Sequence, residues 1–171
     1  MNVYLSCNLN WSAGFKAMKN ENAGTISEVL VHDHRRLEEL RDRAGRALRT
    51  GNSGEAAGVF AQFDKGLRHH ICVEEELLFP ALEREGGLRR DFGPTGVMIA
   101  EHRTIEGLLE RLAREFSGAA GTESAGAAAM DQLTAILEAH DAKEEMVLYP
   151  MADRVIGEAG RDSIVAKLRG E

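Results

Sequence analysis

Phe63, Leu67, His70, Glu74, Leu77 and Ala81 follow one another at steps of 4, 3, 4, 3 and 4, which places them on one face of a helix. The same steps run through Leu133, Leu137, His140, Glu144, Val147 and Met151. Two further stripes, Leu30, His34, Leu37, Ala44, Leu48 and Met98, His102, Ile105, Leu109, Leu112, Phe116, each carry one histidine among apolar residues. Four amphipathic helices are therefore predicted, each with an imidazole near the middle of its inward face.

Their ends are marked by local chemistry. Thr25-Ile26-Ser27-Glu28 reads as a capping box that opens a first helix running to about residue 50, before the break Gly51-Asn52-Ser53-Gly54. A second helix is expected over about residues 55–85, ending at Gly86-Gly87. Residues 88–93 turn, Pro94 suits the first turn of a third helix to about residue 117, and a fourth covers about 123–158. Pro80 and Pro150 each stand six residues after the Glu of a His-x-x-x-Glu and should kink or end their helices locally. A short tail helix, capped by Asp162 or Ser163, is expected last. The resulting division is an extension over 1–24 with Tyr4, Trp11 and Phe15 but no sustained period, a bundle over 25–160, and a tail over 161–171. The fold class is all-α, an up-down-up-down four-helix bundle.

The stripes are also related to one another. HHICVEEELLFPALE around His70 returns as AHDAKEEMVLYPMAD around His140, with His, Glu, Glu, an aromatic residue and Pro in register. One helix earlier in each half, DHRRLEEL around His34 matches EHRTIEGLLERL around His102. The order His, then His-x-x-x-Glu, occurs twice, which implies a pseudo-twofold bundle around a two-metal centre. Residues i and i+4 share a helix face about 6 Å apart, so His70 and Glu74 can reach one metal pair, as can His140 and Glu144. Ionised carboxylates buried without partners would cost several kcal/mol each, a penalty that metal coordination removes. Four imidazoles and two carboxylates form a nitrogen and oxygen set that suits iron or manganese better than tetrahedral structural zinc.

Composition narrows the alternatives. A chain of 171 residues is long enough for one domain that buries roughly 70% of its unfolded surface, so no metal is needed merely to rescue a small core. The net charge of −7 argues against a nucleic-acid partner. The basic run from Arg35 to Arg49 is interrupted by Glu38, Glu39 and Asp42 and reads as a solvated face. No apolar run approaches the roughly 18 residues of a membrane span, and the opening MNVYLSCNLNW lacks the pattern of a secretion signal. A cytoplasmic location is expected. Cys7 and Cys72 make no disulfide framework; Cys72 lies about 200° around the helix from His70 and reads as a packed thiol, while Cys7 is left without a role.

These motifs resemble the hemerythrin-like family, also called the HHE cation-binding domain, in its bacterial H, HxxxE, H, HxxxE form. The resemblance covers about residues 25–158. It implies His34, His70, Glu74, His102, His140 and Glu144 as ligands of a non-haem centre of two iron ions, with both glutamates bridging beside an oxo or hydroxo group; manganese or zinc fits less well. Oxygen-carrying members have a second histidine where this chain has Glu106, which argues against simple oxygen transport and leaves one iron more open. His32 and His69 fall off the stripe, Glu75 and Glu145 point away from the metals unless helix bending brings Glu145 in, and Glu38 and Glu106 stand as alternative ligands or neighbours of ligands.

The function expected is binding or sensing of a small oxidant (O2, NO or peroxide), or holding iron in a redox-labile form. Two other classes stay open: an enzyme that turns over NO or peroxide or aids repair of iron centres, and a helical interaction module with redox-silent metal that presents the N-terminal extension to a protein partner. A ferritin-like store places Glu three residues before His, whereas here Glu follows His by four. On this reading His70→Ala or Glu144→Ala loses metal while keeping most of its helix, and His32→Ala or Glu75→Ala loads like the wild type. Elemental analysis with circular dichroism reads both.

Overall fold

The computed structural model describes residues 24–116 and 123–170, all of the regular structure among them helical. Helix α1 spans Ile26–Arg49, and its capping box is complete: the Glu28 amide donates to Thr25 Oγ1 at 3.1 Å and the Thr25 amide to Glu28 Oε2 at 2.9 Å. Gly51, at φ 72°, supplies the left-handed residue that turns the chain into α2, residues 53–85. Helix α3 runs Pro94–Phe116, α4 covers residues 123–155, and α5 is Glu158–Arg169. The expected extension lies outside the described residues except for Gly24.

Helices α1 to α4 close into a ring in which α1 packs on α2 and α4, and α3 on the same two. Their inward residues form two apolar clusters. One gathers Leu37, Phe60, Phe63, Leu67, Ile105, Leu109, Leu112, Leu133 and Leu137. The other holds Ile26, Leu30, Val73, Leu78, Phe79, Leu82, Met98, Leu148 and Tyr149. Each of the four stripe histidines falls between residues of the two clusters along its own helix, so a polar layer divides the core.

Both helices with an internal proline widen where the kink was expected. Glu74–Leu78 in α2 and Glu144–Leu148 in α4 are single π-helical turns, closed by the Phe79 amide to Glu74 O and the Tyr149 amide to Glu144 O. Pro80 and Pro150 then stand in the opening turn of the α-helical stretches Phe79–Glu85 and Tyr149–Val155, where a missing N–H is tolerated. The extra residue moves the inward face by one position. Leu78 and Leu148 are buried, whereas Val147, expected inside, is 49% exposed and Leu77 only half-buried.

The last helix starts at Glu158, behind Gly157, and not at Asp162 or Ser163. It buries Ile164, Val165 and Leu168 against the second cluster, each side chain worth roughly 1.5–3 kcal/mol of transfer free energy. His69 fastens it, its Nε2–H donating to the carbonyls of Lys167 at 3.0 Å and Leu168 at 3.2 Å. Cys72 is disulfide-bonded and not a packed thiol, with its partner outside the described residues. The angular argument that turned it away from His70 says nothing about covalent pairing, which is why the bond was missed.

Candidate metal centre

The polar layer brings together all six residues singled out by the repeat: His34 from α1, His70 and Glu74 from α2, His102 from α3, and His140 and Glu144 from α4, every one buried. The imidazoles meet in pairs through Nε2, His34 facing His70 at 3.1 Å and His102 facing His140 at 3.1 Å. Each glutamate offers one oxygen to each pair. Glu74 Oε1 is 3.5 Å from His70 Nε2 and Oε2 3.3 Å from His102 Nε2. Glu144 Oε2 is 3.5 Å from His34 Nε2 and Oε1 3.3 Å from His140 Nε2.

Every ring is held from behind by a carboxylate on its Nδ1. Asp33 Oδ2 takes His70 at 2.9 Å, Glu101 Oε2 takes His140 at 2.9 Å, Glu75 Oε1 takes His102 at 2.8 Å and Glu145 Oε1 takes His34 at 3.0 Å. The rule is twofold: the acid just before each first histidine supports the second histidine of its own half, and the acid just after each glutamate supports a histidine of the other half. Each acid is in turn paired with a cation, Arg36 on Asp33, Lys143 on Glu101, Arg103 on Glu75 and Arg35 on Glu145.

Carboxylates only accept, so each Nδ1 carries the proton and its Nε2 presents a lone pair to the partner ring. Two lone pairs 3.1 Å apart require a positive charge between them, either one shared proton or a metal ion. The electrostatics of the metal-free chain agree. Burial alone would raise the Glu74 carboxyl, yet His70 and His102 hold it well below the usual carboxylate range. Burial would lower the imidazoles, yet Glu74 and Asp33 push His70 well above its ordinary value, and Glu74 and Glu75 carry His102 up to about 9. Meanwhile Glu74 Oε2 and Glu144 Oε1 are buried without a hydrogen-bond partner. Unused carboxylate oxygens beside paired imidazole lone pairs fit a cation. Two sets, Glu74, His102, His140 and Glu144, and His34, His70 and Glu144, each place their donor atoms within 4.8 Å of one another.

Several neighbours differ from expectation. Glu75 and Glu145 do turn from the centre, as the helix angles required, but into the backs of His102 and His34. Glu38 and Glu106 pair with Arg35 and Arg103 and take no place in the layer. His32 is exposed. The support given by Asp33 and Glu101 was overlooked, although both halves of the sequence show an acid directly before the histidine. Tyr149 was noted only as an aromatic residue in register; its hydroxyl lies inside the layer, donating to Glu74 Oε1 at 2.7 Å and standing 3.0 Å from Glu144 Oε2. Asp141 Oδ1 lies 4.0 Å from His34 Nε2, its carboxyl pushed up by burial. His34 and Asp141 also border a small cavity of about 10 Å³ with Phe63, Leu67 and Leu137, room for about one water-sized molecule.

A family model described as the hemerythrin HHE cation binding domain matches residues 25–169, and the chain belongs to that family. No curated protein and no solved structure matches it significantly. No described helix is long and apolar enough to cross a membrane.

The geometry revises one expectation and adds another. Glu75→Ala should weaken metal binding by about 10–100-fold, the usual consequence of removing a carboxylate behind a ligating histidine, in place of loading like the wild type; competition with a chelator of known affinity measures it, and unchanged affinity contradicts the role given to Glu75. In metal-free protein His102 is raised from 6.5 to about 9, so its contribution to stability is complete below pH 6.5 and is lost as pH rises through about 9. Melting temperature in chelator should therefore fall across that window, and metal-loaded protein should lose the fall because metal replaces the protons.

Proposed function

We propose that this member of the hemerythrin HHE cation-binding family holds two iron ions in its polar layer and there binds or senses a small oxidant, or keeps iron in a redox-labile form. The observation that carries the reading is the pairing of Nε2 lone pairs at 3.1 Å beside carboxylate oxygens left without donors. His34 and His70 would hold one ion and His102 and His140 the other, with Glu74 and Glu144 each turning one oxygen to either side. Bound iron would supply a one-electron change and a position open to O2, NO or peroxide.

The residues around that position set its terms. The four outer carboxylates fix each ring as the Nδ1–H tautomer and make Nε2 a stronger donor. Glu106, where oxygen carriers have a further histidine, is occupied by Arg103 at 2.7 Å, so nothing from α3 replaces that ligand.

Elemental analysis of protein purified without air should give two irons per chain, and titration with NO, O2 or peroxide should change the visible spectrum. A single zinc, or iron indifferent to all three oxidants, overturns the proposal.

A further inference from the structure

The pseudo-twofold relation that pairs His34 with His102 and His70 with His140 pairs Tyr149 with Phe79, and there the two halves part. Phe79 stacks on His102, ring centroids 5.8 Å apart with planes inclined by 13°. Tyr149 instead reaches past its histidine. Its oxygen lies 3.0 Å from His34 Nε2, 3.3 Å from His70 Nε2, 2.7 Å from Glu74 Oε1 and 3.0 Å from Glu144 Oε2.

A phenol has one proton, and once the paired imidazoles give up the proton they share, the four atoms around it all accept. If the proton is given to Glu74, the phenol oxygen turns its own lone pairs toward two imidazole lone pairs and a second carboxylate. In the His34/His70 half the phenol oxygen thus joins His34, His70 and Glu144, whose donor atoms lie within 4.8 Å of one another, with Glu74 Oε1 2.7 Å from it. The other half has four donor atoms, from His102, His140, Glu74 and Glu144, and its aromatic residue, Phe79, brings only a carbon ring stacked on His102. Tyr149 is fully buried, so no water competes for its oxygen.

We propose that Tyr149 is a seventh protein ligand, its phenol oxygen binding the metal held by His34 and His70, so that the two metal positions are chemically unequal. The proposal rests on the two-iron reading above. Coordination sends the phenol proton to solvent as metal enters, and a hard anionic oxygen favours the ferric over the ferrous state at that position. The π-helical turn is what delivers it: with one extra residue in the turn, Glu144 and the residue five later come to the same side of α4.

The test compares wild type, Tyr149→Phe and Phe79→Tyr after iron loading without air and oxidation with ferricyanide. Iron per chain, circular dichroism and resonance Raman spectra are recorded for each. The wild type should show a visible phenolate-to-iron charge-transfer band with tyrosinate ring modes under excitation in it. Tyr149→Phe should lose both while keeping two irons and its helix, and Phe79→Tyr should strengthen the band. Two irons in the wild type without tyrosinate modes, or modes that survive Tyr149→Phe, overturn the assignment of Tyr149 and leave the two-iron reading standing. A wild type that takes up no iron overturns both.

Discussion

A layer of facing imidazole lone pairs in the middle of an apolar bundle can persist only if positive charge sits between them. Desolvation sets the magnitude: an unpaired ion in such a core costs several kcal/mol, a large part of the 5–15 kcal/mol by which domains of this kind are stable. Protons meet the need in the metal-free chain, which is why the imidazoles are raised against the pull of burial. Metal ions would meet it better, because they would also engage the carboxylate oxygens of Glu74 and Glu144 that make no hydrogen bond. The surrounding structure follows from holding the rings in place. Four carboxylates fix the tautomers, four cations at the rim hold those carboxylates, and apolar clusters above and below keep water from screening the arrangement.

Much of this was legible in the sequence. A stripe at steps of three and four that admits His and Glu has to bury them, and a stripe that does so twice in the same order has to bring two such sets together. The helix ends at Thr25, Gly51 and Gly86 could be read from local chemistry, and the all-α bundle followed. Legibility stopped where the helix stopped being α. Extrapolating 3.6 residues per turn past Glu74 and Glu144 put Leu77 and Val147 inside, whereas the π-turns bring Leu78, Phe79, Leu148 and Tyr149 there. Pro80 and Pro150 signalled a disturbance but not its kind, because a lost donor is consistent with a kink, an end or a widened turn. Tyr149 was hidden by the same one-residue shift. Asp33 and Glu101 were hidden differently, since their role is across a helix pair and no spacing within one helix reveals it. Cys72 shows the same limit for covalent pairing.

The twofold relation between the halves is kept in one part of the site and abandoned in another, and the contrast separates support from chemistry. Among the outer pairs the charges match although the residues do not. Asp33 is held by Arg36 of its own helix, but the corresponding position after His102 is Thr104; Glu101 takes its cation instead from Lys143 of α4, where the matching residue of α2 is Val73. A lost cation on one helix is thus made good from another, which is expected if every histidine must be held equally firmly.

No such compensation occurs at the aromatic positions or next to the second histidines. Tyr149 faces Phe79 across the pseudo-axis, and Asp141, 4.0 Å from His34, corresponds to Ile71 in the apolar core. Both departures lie on α4 and both add oxygen to the same half of the layer. Random drift of a symmetric scaffold would scatter polar substitutions over the two halves and would leave buried hydroxyls and carboxyls unpartnered, at about 1–3 kcal/mol each. Here they converge on His34 and His70, where a cation would use them. The scaffold is therefore symmetric in what holds the rings and asymmetric in what the rings would hold, a division suited to two metal positions with different work: one closed by protein oxygen, the other leaving its remaining positions to whatever enters.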